Sequence, residues 1–172
     1  VGLTTRVTLT QPDVTTVDNT ASLTDDEKTK VETAFKAKNP TLPAGTTVKA
    51  GDNGDVTVTY PDGYKEVITN TVAQRATSVE PTLDKVDTDD TKVSGTGVAG
   101  ATIEVTLPDG TKKTATVGAN NKWEVTLDAP LAKDAEVKVV QKENDKLASP
   151  EVKKAVVNTI AADNPLTAPA TT

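Results

Sequence analysis

The tripeptide Pro-Asp-Gly occurs twice, at Pro61-Asp62-Gly63 and Pro108-Asp109-Gly110, and each copy follows a run in which apolar and polar residues alternate. The runs are Val56-Thr57-Val58-Thr59-Tyr60 and Thr102-Ile103-Glu104-Val105. Proline presets φ and the glycine accepts left-handed backbone, so each unit turns the chain back on itself. Alternation at period two collects the apolar side chains on one face of a strand. In the second half, further turn signals at Gly97-Val98-Ala99-Gly100, Gly118-Ala119-Asn120-Asn121, Asp128-Ala129-Pro130 and Glu143-Asn144-Asp145 leave short strands at Lys92 to Gly95, Thr102 to Leu107, Lys113 to Val117, Lys122 to Leu127, Glu136 to Gln141 and Val152 to Val157. Strands separated by turns roughly every ten residues predict a β-sandwich. Trp123, alternating with Val125 and Leu127, is the expected centre of its core.

One segment breaks the period. Thr24 is followed three residues later by Glu27, a capping box, with Asp25 and Asp26 placed favourably at the positive end of a helix dipole. Val31, Ala34, Phe35 and Lys38 then line one helical face until Asn39-Pro40 stops it, which predicts three or four turns. Before it, residues 1 to 22 read as an extended lead-in with one or two short strands. After it come strands at Thr46 to Ala50, Val56 to Tyr60 and Tyr64 to Val72, joined through Gly51-Asp52-Asn53-Gly54-Asp55 and the first Pro-Asp-Gly, a meander with one helix across it. Residues 73 to 81 lose both periodicities, and a boundary is placed there; the stretch is either a flexible tether or a strand crossing both halves.

Composition narrows the function. Cys, Met and His are absent, which removes disulfides, thiolate metal sites and the commonest general base. Aromatic residues make up 2% of the chain, so its cores must be built from Val, Leu, Ile and Ala. A net charge of −6 with interspersed Lys and Asp disfavours nucleic acid and anionic lipid as partners, and no apolar run is long enough to span a membrane.

The stretches Leu23-Thr24-Asp25-Asp26-Glu27-Lys28, Leu42-Pro43-Ala44-Gly45-Thr46 and Val56-Thr57-Val58-Thr59-Tyr60-Pro61-Asp62-Gly63 resemble, in that order, the atypical Rib domain of Gram-positive surface proteins, with Tyr64 where a small polar residue such as Ser is expected. The stretch Val93-Ser94-Gly95-Thr96-Gly97-Val98-Ala99-Gly100 through Ile103, with Leu107-Pro108-Asp109-Gly110 and Lys122-Trp123-Glu124-Val125, is similar to the bacterial Ig-like repeats of adhesins. The fold expected is a tandem: a small α+β Rib-like module over 1–76 with one short helix, an all-β Ig-like sandwich over 77–160, and a Pro/Thr-rich linker or tail over 161–172. The resemblance implies a monomeric, non-catalytic spacer of an extracellular adhesin, anchored to the cell wall by regions outside this chain. Its partners would be neighbouring modules. The alternative is a region that itself recognises a host glycan or protein.

Four sets of residues are weighed as sites. Asp84, Asp87, Asp89 and Asp90 form an acidic cluster able to offer oxygen ligands to calcium, against the reading of a solvated turn that lacks any EF-hand spacing; no other cofactor is expected. Asp52, Asn53 and Asp55 read as a hairpin turn. Tyr64 and Arg75, residue types enriched at interaction hot spots, are the ligand candidates, against a cross-strand tyrosine and a linker charge. Leu3-Thr4-Thr5-Arg6 resembles the Thr-Arg motif of sialic-acid-binding adhesins without the V-type Ig pattern around it, so no binding site is carried over. Paired carboxylates for glycoside hydrolysis lack an aromatic platform, and no spacing identifies the acid-flanked Lys–Asn pair that an isopeptide crosslink needs.

Overall fold

The structure, a computed structural model, describes residues 6–159. The tail at 161–172 lies outside them. The chain divides into two compact units, Val1–Arg75 and Ala76–Thr172.

In the first unit the order is β1 (Thr15–Val17), α1 (Asp25–Lys38), β2 (Thr47–Ala50), β3 (Val56–Thr59), β4 (Lys65–Ile68) and β5 (Val72–Gln74). Helix α1 begins where the capping box puts it. The Thr24 hydroxyl accepts from the Glu27 amide at 3.2 Å, and Glu27 Oε1 accepts from the Thr24 amide at 2.9 Å. The same carboxylate accepts from the Asp18 amide at 2.8 Å through its other oxygen, so one buried glutamate ties the helix start to the segment leaving β1. These amides hold the Glu27 carboxyl below its usual range. At the other end the buried Asn39 side chain donates to the Phe35 and Thr10 carbonyls and accepts from the Thr10 amide. The apolar stripe, Val31 and Phe35, packs on Val17, Leu23, Ala50, Val56, Val58 and Tyr60.

Strands β2, β3 and β4 form an antiparallel meander. The expected strand from Tyr64 to Val72 is two strands instead. Asn70, at φ 57°, turns the backbone between them, a conformation that Asn tolerates better than most residues. Strand β5 then pairs in parallel with β1, with Thr15 opposite Val72 and Val17 opposite Gln74. Parallel pairing joins segments far apart in sequence and leaves no turn signature, which is why Ala73 and Gln74 fall in a stretch without a strand signal of its own. On either side of the boundary the backbone is bonded within its own unit: the Arg75 amide donates to the Val17 carbonyl, and the Ala76 carbonyl accepts from the Leu147 amide, both at 2.8 Å.

The second unit carries β6 (Lys92–Thr96), β7 (Thr102–Thr106), β8 (Lys112–Thr116), β9 (Lys122–Thr126), β10 (Glu136–Lys142) and β11 (Val152–Ala155). One sheet has the order β11-β10-β7-β8 and the other pairs β6 with β9, all antiparallel. Between them lie Val93, Ile103, Val105, Val117, Trp123, Val125, Val137 and Val139. The buried Trp123 indole donates to the Thr96 carbonyl at 3.1 Å, the partner that a buried indole N–H needs. The two Pro-Asp-Gly turns are built alike. Gly63 and Gly110 have φ of 89° and 86°, and each glycine amide closes its turn on the residue before the proline at 2.9 Å. Asp62 and Asp109 each accept from the amide two residues on, at 3.1 and 2.8 Å.

Candidate functional site

Tyr64 follows the first Pro-Asp-Gly turn and is 48% exposed. Arg6 covers it: the guanidinium carbon lies 4.1 Å from the Tyr64 ring centre and 4.9 Å from that of Tyr60. The two rings are tilted, with centres 5.9 Å apart. Arg6 also reaches the Asp62 carboxylate at 2.9 Å. The Tyr64 amide, and after it Arg6, hold the Asp62 carboxyl below its usual range against opposing desolvation. Tyr64 thus belongs to a cation–aromatic cluster that fixes the entry segment of the unit. Arg6 enters it from the Leu3-Thr4-Thr5-Arg6 motif, whose first three residues lie outside the described ones. A cation at the edge of the chain and an aromatic after a turn give no local sign that they will meet.

Arg75 stands elsewhere, at the end of β5. Its Nε bonds Asp18 Oδ1 at 2.8 Å, and a terminal nitrogen reaches the Thr16 carbonyl at 3.4 Å. Tyr64 and Arg75 are therefore held by different elements and different partners.

The four acidic candidates also separate. Carboxylate oxygens of Asp87, Asp89 and Asp90 lie within 4.8 Å of one another. Asp90 Oδ2 accepts from the Asp87 amide at 2.7 Å, and Lys85 Nζ lies 3.8 Å from Asp87 Oδ1. Asp84 lies outside the trio and accepts from the Ser94 hydroxyl at 2.8 Å. It lines a cleft of about 690 Å³ beside the β6–β9 pair, with Thr96, Asn120, Trp123 and Glu124. That cleft is not legible in the sequence, because its walls come from three separate segments, at 84, 94–96 and 116–124. The loop of Asp52, Asn53 and Asp55 is a structured turn, in which Asn53 accepts from the Asp55 amide at 3.0 Å and Asp52 pairs with Lys28 at 2.6 Å.

One further buried polar group carries structure. Gln141 is fully buried; its carbonyl accepts from the Val98 amide at 2.7 Å and its amide donates to the Val79 carbonyl at 3.0 Å. It pins the entry segment of the second unit to β10. Among the described residues no helix is long and apolar enough to cross a membrane.

Two disulfide-free units with separate apolar cores and polar groups engaged within their own folds define a tandem of small β-rich modules. Residues 7–75 match the atypical Rib domain and residues 79–158 a bacterial Ig domain. The first unit is an atypical Rib domain and the second a bacterial Ig domain, families that are generally non-catalytic. The proteins this chain is similar to include streptococcal adhesins. A streptococcal hemagglutinin of Streptococcus gordonii is 39% identical over 57 residues, 33% of this chain. The chain spans only 3% of that protein. A mutant form of the SrpA adhesin of Streptococcus sanguinis is 42% identical over 38% of this chain and 36% of its own, with a TM-score of 0.37. The sialic acid binding region of the Streptococcus sanguinis SK1 adhesin, solved with 3'sLn bound, is 22% identical, covers 92% of this chain and 48% of its own, and has a TM-score of 0.42.

Proposed function

We propose that this chain is a non-catalytic spacer of an extracellular adhesin, monomeric in itself, that projects a binding head from a cell wall to which other regions of the protein are anchored. The observation that carries the reading is the pair of closed cores. Val17, Val31, Phe35, Val56, Val58 and Tyr60 bury one another in the first unit, and the core around Ile103, Trp123 and Val139 shares no residue with them. Units that each complete their own core can be strung in series without needing a partner surface.

A second reading, recognition of a host glycan or protein, is favoured by the polar cleft around Asp84 and Asn120 and by the half-exposed Tyr64. A glycan array and a host-protein binding screen with this chain alone separate the two. Reproducible, saturable binding would overturn the spacer reading, and its absence across both screens supports it. Calcium, for which the Asp87, Asp89 and Asp90 turn is the proposed place, is checked by melting the chain in calcium and again in chelator.

A further inference from the structure

In both units the segment that enters the fold runs parallel to the segment that leaves it. In the first, β1 and β5 are the first and last strands and are parallel. The Thr15 amide bonds the Thr71 carbonyl at 2.9 Å, and the Arg75 amide bonds the Val17 carbonyl at 2.8 Å. Side chains stitch the same two segments: Gln11 Nε2 donates to the Thr69 carbonyl at 2.7 Å, Gln74 Nε2 to the Asp18 carbonyl at 2.5 Å, and Arg75 Nε to Asp18 Oδ1 at 2.8 Å. In the second unit the parallel bridge of Asp87 with Val157 joins the entering segment to the leaving one, and a second parallel bridge, Thr77 with Leu147, ties the entry to the loop between β10 and β11. The Ser78 amide bonds the Leu147 carbonyl at 2.8 Å; the Thr88 amide bonds the Val157 carbonyl, and the Val157 amide bonds the Val86 carbonyl, both at 2.9 Å.

Geometry dictates how such pairs meet a pull. Tension along the chain enters a unit at its first segment and leaves at its last. When those segments are parallel neighbours, one is drawn toward its N-terminal end and the other toward its C-terminal end. The cross-strand bonds then lie across the force and share it. A hairpin pulled at its open end breaks its bonds one after another instead. Helix α1 and the β2–β4 meander lie between Val17 and Val72, and β6 to β11 lie between Asp87 and Val157, so they bear no load until the parallel pairs part.

We propose that the β1–β5 pair and the Asp87–Val157 bridge of the second unit are shear clamps, which make each module a load-bearing link against tension along the chain. The biological use of the clamps rests on the spacer reading, whereas their mechanics do not.

The chain has no cysteine, so an introduced pair sets where force is applied. The full chain would be stretched by single-molecule force spectroscopy between its termini, and then between cysteines at Val14→Cys and Thr69→Cys, both at the N-terminal end of the β1–β5 pair. Forced unfolding reads the barrier, not the equilibrium stability. The first unit's event is recognised by the contour length it releases, about 3.5 Å per residue. Its rupture force should be severalfold higher between the termini than between the cysteines, with the melting of the cysteine variant unchanged. Thr15→Pro, which removes the amide that bonds Thr71, should lower the terminal force and leave the cysteine-loaded force nearly as it was. Equal forces in the two geometries from a natively melting protein would overturn the clamp. A chain that binds a glycan yet shows the directional force would sink the spacer reading and leave the clamp standing. One that binds nothing and ruptures equally would do the reverse.

Discussion

Replacing Val31 with alanine tests whether the two cores are energetically separate. Val31 is 1% exposed, on the face of α1 that it shares with Phe35 and that packs on Val17, Val56 and Val58. Two lost methyl groups at about 0.8 kcal/mol each remove about 1.6 kcal/mol of burial. The cavity left behind adds to that, bringing the loss to about 2.5 kcal/mol. Alanine's better helix propensity returns about 0.5 kcal/mol, so the net cost is about 2 kcal/mol. In a unit of this size each kcal/mol moves the melting midpoint by roughly 4–8 °C, so the first unit should melt roughly 8–16 °C lower. The protein supplies a separate probe for each half. Helix α1 is the one helix among the described residues and lies in the first unit; Trp123 is the one tryptophan of the chain and lies in the second. A thermal scan that follows the helical circular dichroism band and the tryptophan fluorescence together should show the first midpoint fall while the second stays in place. If both fall by the same amount, the cores are coupled and the modular reasoning fails.

Gly95→Ala is the reciprocal case. A Cβ there would stand 1.9 Å from the Thr82 carbonyl oxygen and 2.8 Å from the Trp123 ring, so backbone must shift. We expect a loss of about 1–3 kcal/mol, seen in the Trp123 fluorescence midpoint and not in the helix band. Acid should weaken the chain. Glu27, held down by the Thr24 and Asp18 amides, and Glu143, held down chiefly by the Val79 amide, have lowered carboxyl pKa values when folded. Their contribution is complete above the ordinary value of 4.5 and is lost as pH falls through the lower folded values, so urea midpoints should be flat near neutrality and drop in acid. Glu27→Gln should shrink the acid limb of the helix signal alone, leaving the part that the lowered Asp52 and Asp62 carboxyls contribute; an undiminished acid limb in that variant would remove Glu27 from the account. For calcium, bound ion would raise the Trp123 midpoint above that in chelator, and identical midpoints would leave Asp87, Asp89 and Asp90 as a solvated turn.

Much of the fold was legible because it is local. The Thr24–Glu27 box needs residues three apart, and each Pro-Asp-Gly turn needs three in a row. The alternation around Trp123 needs only its own strand to show which side chains go inward. What escaped depended on partners distant in sequence. Gln141 looks like an ordinary polar strand residue until Val79 and Val98 claim its amide. Arg6 and Tyr64 meet only because the entry segment crosses the first Pro-Asp-Gly turn. Asp84 and Asp87 sit close along the chain, yet one turns to Ser94 and the other to Asp89 and Asp90.

By itself the amino-acid sequence determined the β-rich class, the site of the helix, the turns and the apolar faces, since each follows from the backbone preferences and spacing of neighbouring residues. Tertiary structure alone decided that Asn70 would split the last strand of the first module, so that its far end could lie beside β1. That pairing closes a loop from Thr15 to Gln74, and it is chosen by the free energy of burying Val17 and ordering both segments at once, a quantity no local window contains.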